Sequence, residues 1–310
     1  MTVWPGAGTG GRAPGRRPHT GLFLWILAVV VMLGAATWQR LTGPTYPRRG
    51  SAQLAGQEMR WRLPRSGISG DPFRVALAVA EDAGGTADNG ASVTGTIHYR
   101  PFPTVAPYEA LPMVHQDGTL SGQLPTQPPA GKLEYYVTLD TPEGEVRIPD
   151  DEPVVMRFKG HVPLWILLPH VLTMFFAMLI GVRAGLAAAF GRSETQRDSW
   201  IALLGITLGG MILGPIVQKH AFGAYWTGWP FGGDVTDNKT AAMWIAWIAA
   251  VALLRRRRGR SDRMARVGVI AAALVMLMVY VIPHSLRGSQ LDPGAAEQIE
   301  ATPGSTATQH

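Results

Sequence analysis

The sequence contains no cysteine, which excludes a disulfide framework, a Cys-ligated zinc site, an iron–sulfur cluster and thiol catalysis. Charge is also scarce. Only 16% of the 310 residues are Asp, Glu, Lys or Arg, where a soluble domain carries roughly a quarter. No Walker pattern, HExxH or Ser/His/Asp order is present, so nothing in the sequence points to a catalytic centre. Repeated halves and multiple intramembrane charges, the marks of a transporter, are missing too. What is abundant is apolar sequence, 46% of the chain, together with ten tryptophans and a pI near 9.9.

The apolar residues gather in five runs: 21–38, 162–182, 200–217, 240–254 and 267–282. A spanning helix needs about 20 apolar residues, and flanking arginines that snorkel can extend the shorter runs. About five transmembrane helices are therefore expected. The first run is longer than the roughly 7–15 apolar residues of a signal peptide and reads as an uncleaved anchor. Arginine distribution then predicts orientation. Arg12, Arg16 and Arg17 precede the first run, Arg183, Arg192 and Arg197 follow the second, and "RRRRGRSDRMAR" follows the fourth. These segments alternate so as to share the cytoplasmic side. A basic N-terminus over 1–20 is thus expected inside, with 39–161, the loop 218–239 and the tail 283–310 outside, in a bacterial inner membrane. This distribution accounts for the basic residues without nucleic-acid binding.

Between the first and second runs the pattern changes. Residues 51–160 carry short alternating segments at 58–63, 73–79, 93–99, 109–115, 133–139, 145–148 and 154–158. "QDGT" at 116–119 and "TPEG" at 141–144 are turn signals. Phe73, Val75, Leu77 and Val79 share one face, as do Leu133, Tyr135, Val137 and Leu139. An extracytoplasmic antiparallel all-β sandwich is expected. "PPAGKLEYYVTLDTPEGEVRIP" resembles the late hairpin of immunoglobulin-like or fibronectin-like domains. His98 and His115 on these strands are expected to face solvent, and 80–92 to be a loop.

Ionisable groups inside a bilayer are costly and mark function by default. His170 lies about eight residues into the second run, roughly 12 Å deep at 1.5 Å per residue. Met174 and Met178 follow on the same helical stripe. Glycines 205, 209, 210 and 214 in the third run permit close helix packing, and Pro215 is expected to bend or end that helix. By topology His170, His220 and His284 all fall in the outer half. His170 is expected either to hydrogen-bond a neighbouring helix while the methionines pack, or to serve as a haem or metal ligand or a quinone hydrogen-bond donor; the three histidines together are either interfacial residues or a shared set of metal or haem ligands.

The loop between the third and fourth runs belongs to the stretch "HAFGAYWTGWPFGGDVTDNKTAAMWIAW", with four of the ten tryptophans. Tyr225, Trp226 and Trp229 suit a membrane interface, while the interspersed glycines suit a loop of defined shape. Asp237 or Asn238 is expected to cap the following helix, leaving Asp234 free to orient a ligand. Trp244 and Trp247 are expected to continue the aromatic surface below the loop. The stretch resembles a "YWTGWPFG-D-TDNK" loop of uncharacterised bacterial polytopic membrane proteins. Over fewer than thirty residues it also resembles the tryptophan-rich loop of haem-handling cytochrome c assembly proteins, with Phe222-Gly223 standing where that family has Trp-Gly. The second resemblance implies Trp226, Trp229 and Asp234 as loop contacts and His220 and His284 as axial ligands. Two functions are therefore expected. One is a non-enzymatic structural or assembly subunit of a respiratory or photosynthetic membrane complex, docking other subunits through the sandwich and loop. The other is a haem- or quinone-binding redox or cofactor-handling protein, with no separate metal site.

Overall fold

A computed structural model describes residues 18–54, 56–79, 93–256 and 262–282. Arg12, Arg16 and Arg17, the loop 80–92, much of the arginine block, His284 and the C-terminal tail lie outside the described residues.

The helices are α1 (Pro18–Thr42), α2 (Leu164–Ala189), α3 (Thr195–Ile206), α4 (Gly214–Phe222), α5 (Val235–Arg255) and α6 (Asp262–Val281). A π-helical turn, Thr207–Leu213, joins α3 to α4, so these form one rod, Thr195–Phe222. Among the described residues, four helices are long and apolar enough to cross a membrane: Gly21–Thr42, Leu164–Ala189, Thr195–Phe222 and Arg263–Val281. The apolar run 240–254 also lies in a helix, the 21-residue α5, but that helix is not among the four. Its first turns carry the polar "VTDNKT", which lowers its mean hydropathy.

Small residues let the helices approach closely. On α2, Ala177, Gly181, Ala184 and Ala188 recur at helical spacing and are buried. A Cβ on Gly205 would stand 2.8 Å from the Ala177 Cβ, and one on Gly209 would stand 2.8 Å from Met174 Sδ. Such contacts draw α3 onto α2, as expected for glycine-lined faces. Trp247, fully buried, fills the centre of the bundle beside Met178, Met243 and Met276. Trp244 donates its Nε1–H to Thr207 Oγ1 at 3.0 Å. Both tryptophans therefore belong to the packing of α5 and do not continue the loop's aromatic surface.

Arg183 also differs from expectation. It lies inside α2, not in a following loop, and is buried with Asp198 of α3, Nη1 to Oδ2 3.6 Å. Trp25 of α1 covers its guanidinium, with the ring centroid 5.4 Å away. Asp198 also pairs with Arg197 at 2.9 Å. The position of Arg183 thus reflects packing, and Arg192 is the arginine left in the α2–α3 connection.

Among the described residues, eleven strands lie between α1 and α2: β1 (Arg48–Leu54), β2 (Gln57–Leu63), β3 (Ser66–Ile68), β4 (Phe73–Ala78), β5 (Thr94–Pro101), β6 (Glu109–Pro112), β7 (Val114–Gln116), β8 (Thr119–Leu124), β9 (Lys132–Thr141), β10 (Gly144–Ile148) and β11 (Val154–Lys159). They form a β1–β2 pair, a six-stranded sheet in the order β3-β11-β9-β5-β6 with β10 also on β9, and a β4-β8-β7 sheet. One core unites all three. It includes Leu63, Val75, Leu77, Ile97, Leu120, Tyr135, Val137, Met156 and Phe158.

The predicted faces of 73–79 and 133–139 point inward, with only Phe73 partly exposed. "QDGT" joins β7 to β8, with Asp117 and Gly118 at φ 50° and 68°, and "TPEG" joins β9 to β10. The run 109–115 does not form one strand. It breaks at Met113, whose N–H donates to Gly95 O, and its halves join different sheets. The pairing is antiparallel except for β3 with β11, which is parallel. His98 is not fully exposed. It stacks on Tyr136 with centroids 4.7 Å apart and bonds Thr138 Oγ1 at 3.0 Å, while His115 is exposed.

Candidate functional site

The loop after α4 is organised by the first turn of α5. Gly223, at φ 85°, ends α4 in the left-handed conformation that favours glycine, and its N–H reaches Lys219 O at 3.0 Å. Asp234 is the N-cap of α5: its Oδ1 accepts the N–H of Thr236 at 2.7 Å and of Asp237 at 3.2 Å. This reverses the expected roles, because Asp234 is committed to the helix and Asp237 reaches back into the loop. Asp237 Oδ2 accepts the N–H groups of Thr227 and Gly228 at 2.6 and 3.0 Å and Gln218 Nε2 at 3.0 Å. Asn238 Oδ1 accepts the N–H of Trp229 at 2.6 Å. Lys239, still on the first turns, donates Nζ to Ile282 O at 2.6 Å, beyond the end of α6.

Each residue of "TDNK" thus has an identifiable task. Gly228 is required by close approach: a Cβ there would stand 2.6 Å from the Asp237 Cβ and 2.8 Å from Asn238 Oδ1. The loop so held turns three large rings outward. Trp229 is 79% exposed, Phe231 82% and Tyr225 59%. Trp226 instead lies inward and donates its Nε1–H to Trp229 O at 3.1 Å, bracing the tip.

Beneath the loop, where the last strand meets the helices, is a cavity of about 580 Å³. Its apolar wall includes Val171, Met174, Phe175 and Pro215, and its polar lining includes His170, Gln218, Asp234 and Tyr280. His170 Nδ1 donates to Gly209 O at 2.9 Å. With the proton on Nδ1, Nε2 is the ring nitrogen left with a lone pair.

The carbonyl that His170 reaches lies in the irregular stretch just before Pro215. Proline lacks an N–H and crowds the carbonyl four residues back, so an α-helical register cannot pass through it undisturbed. The chain widens into the π turn, in which Gly214 N–H bonds Gly209 O, and Gly209 O also receives His170. The rod therefore continues through Pro215 to Phe222 and does not end there. Tyr280 donates its O–H to Met174 O at 2.7 Å, tying α6 to the same wall.

Of the six residues expected to contact a cofactor, three, His170, Trp226 and Asp234, line this cavity. Trp229 and His220 are exposed and do not line it, and His284 lies outside the described residues. Among the described residues no cluster of three His, Asp or Glu side chains is placed to hold a metal ion. Of the three histidines expected to share a ligand, His170 lines the cavity, together with His161, and His220 does not. Gln218, Tyr280 and the Gly209 carbonyl are parts of the site that sequence patterns did not single out. A glutamine near the C-terminal end of an apolar rod was the available signal. No protein-family model matches the chain, and no curated protein matches it.

Proposed function

We propose that the protein is a non-catalytic docking subunit of a bacterial membrane complex. In this reading α5 spans the bilayer with the four more apolar helices, and the β region is an immunoglobulin-like spacer on the external face. Partner subunits are engaged through the aromatic loop. The observation that carries the reading is the pairing of a fixed loop backbone with an exposed tip. Asp237, Asn238 and Gly228 hold the loop from beneath, while Trp229 and Phe231 face outward. Rigid, exposed aromatic anchors are the usual energetic centres of an interface.

A Trp229→Ser/Phe231→Ser variant tests this. It should fold with an unchanged unfolding midpoint, since neither ring is in a core, and should no longer co-migrate with its native complex on a non-denaturing gel. Retained co-migration would refute the reading.

A second reading rests on the cavity. At about 580 Å³ it has the size of a small-molecule site, typically ~300–1,000 Å³. His170 offers one acceptor to a hydroxylated ring such as a reduced quinone. An organic extract of the purified protein should then contain such a compound at stoichiometric amount, reduced in His170→Leu. A wild-type extract holding only bulk lipid would remove this reading.

A further inference from the structure

Where β9 meets β11, the six-stranded sheet gathers cations that have no ion-pair partner among the described residues. Lys132 of β9 and Arg157 of β11 are direct antiparallel partners, so their side chains leave the same face. Arg157 is also in register with Ser66 of β3, and its N–H donates to Arg65 O at 3.1 Å, which brings the backbone of a third cationic residue beside the pair, near enough for its charge to act on Arg157. Lys132 is only 6% exposed, and Arg65 Nε is buried without a hydrogen-bond partner. Among the described residues none of the three forms a salt bridge. Glu134, two residues from Lys132 on the same strand face, is occupied by Arg100 and Tyr108.

Like charges directly opposed across strands repel, and a buried charge without a partner is costly. Burial, with Arg157 beside it, pushes the Lys132 ammonium down to about 8. Burial and the nearby Arg65 lower the Arg157 guanidinium as well. An anion seated among the three removes both penalties. Guanidinium and ammonium groups together match the oxygens of a phosphate. The site is also close to the helices. Lys159, two residues beyond Arg157 on the same strand face, lines the cavity at the sheet–helix junction, and α2 begins at Leu164.

We propose that Lys132, Arg157 and Arg65 form a binding site for a phosphate-type oxyanion, supplied either by an anionic lipid headgroup or by free phosphate. The site is separate from the aromatic loop and does not depend on the docking reading.

The test uses the full chain and thermal unfolding, in two arms. In neutral detergent, sodium phosphate is titrated against sodium chloride at matched ionic strength. In nanodiscs, phosphatidylcholine alone is compared with phosphatidylcholine plus phosphatidylglycerol. A binding anion should raise the midpoint by about 4 °C or more at saturation. A rise in the nanodisc arm alone assigns the lipid headgroup, and a rise in the phosphate arm assigns the free ion. Lys132→Met should lose the response while raising the anion-free midpoint. Arg157→Gln should lose the response too, as a second variant should the first fail to fold. No rise over chloride or over phosphatidylcholine in wild type overturns the proposal. So does a response retained in the folded variants.

Discussion

Removing the carboxylate of Asp237 should release the aromatic loop while leaving the helices in place. In Asp237→Ala the acceptor of two backbone N–H groups and one Gln218 N–H disappears. Asp237 is 5% exposed and Gly228 is buried, so water cannot readily replace it. A buried donor left unsatisfied costs about 1–3 kcal/mol. Two stranded N–H groups therefore imply a loss of roughly 2–6 kcal/mol in the local opening free energy of the loop. Asp237→Asn keeps one oxygen able to accept and should lose about half of that.

The assay is amide hydrogen exchange followed by mass spectrometry. Peptides over 223–234 should exchange about 30-fold faster or more in Asp237→Ala than in wild type, while peptides from α2 and α6 stay unchanged. Asp234→Ala should differ in kind. Removing an N-cap costs about 1 kcal/mol and should raise exchange in the first turn of α5. Unchanged loop exchange in Asp237→Ala would show that this carboxylate does not hold the loop, and the preorganisation on which the docking reading rests would fail with it.

The buried Arg183–Asp198 pair should respond unequally to its two truncations. Asp198→Ala strands a buried guanidinium and should cost about 3–5 kcal/mol, whereas Arg183→Met leaves Asp198 with Arg197 and should cost clearly less. Equal losses in denaturant unfolding would contradict this. Lys132 predicts a pH effect. Its folded value near 8 lies below the ordinary ~10.4 of the unfolded chain, so above pH 8 the unfolded state binds more protons. Stability should then rise with pH from about 8 to 10, by at most ~1.4 kcal/mol per unit. Above pH 10 the tyrosines held neutral in the fold, Tyr99 by Glu109 and Tyr135 by burial, reverse the trend. The unfolding midpoint of wild type relative to Lys132→Met, followed from pH 7 to 10, measures it; a relative fall over pH 8–10 refutes it.

Much of the scaffold was legible because its signals are local. An apolar run or a two-residue alternation is set by the neighbours of each residue. The four most apolar helices and the faces of β4 and β9 followed from such signals. The strands that sequence reasoning missed, β1, β3 and β8, read "RRGSAQL", "SGI" and "TLSGQL" and lack a clean apolar alternation. They are strands because neighbouring strands supply partners for their backbone groups. The break at Met113 is likewise a tertiary decision, made by a carbonyl on β5.

At the site, the unusual residues are already legible in the amino-acid order. A histidine in an apolar run, glycines among tryptophans and "DVTDNKT" before an apolar helix are all costly or rare in context. Only the tertiary structure decided what each one does. It gave the helix cap to Asp234 and the loop to Asp237, bound His170 to a carbonyl redirected by the π turn, and left His220 outside the cavity. It also placed Lys132, Arg157 and Arg65 side by side, though Arg65 and Arg157 are far apart in the chain. The reason is physical. A residue's chemistry is carried in its own side chain, but its partner is whichever group the packed backbone brings within about 3 Å of it.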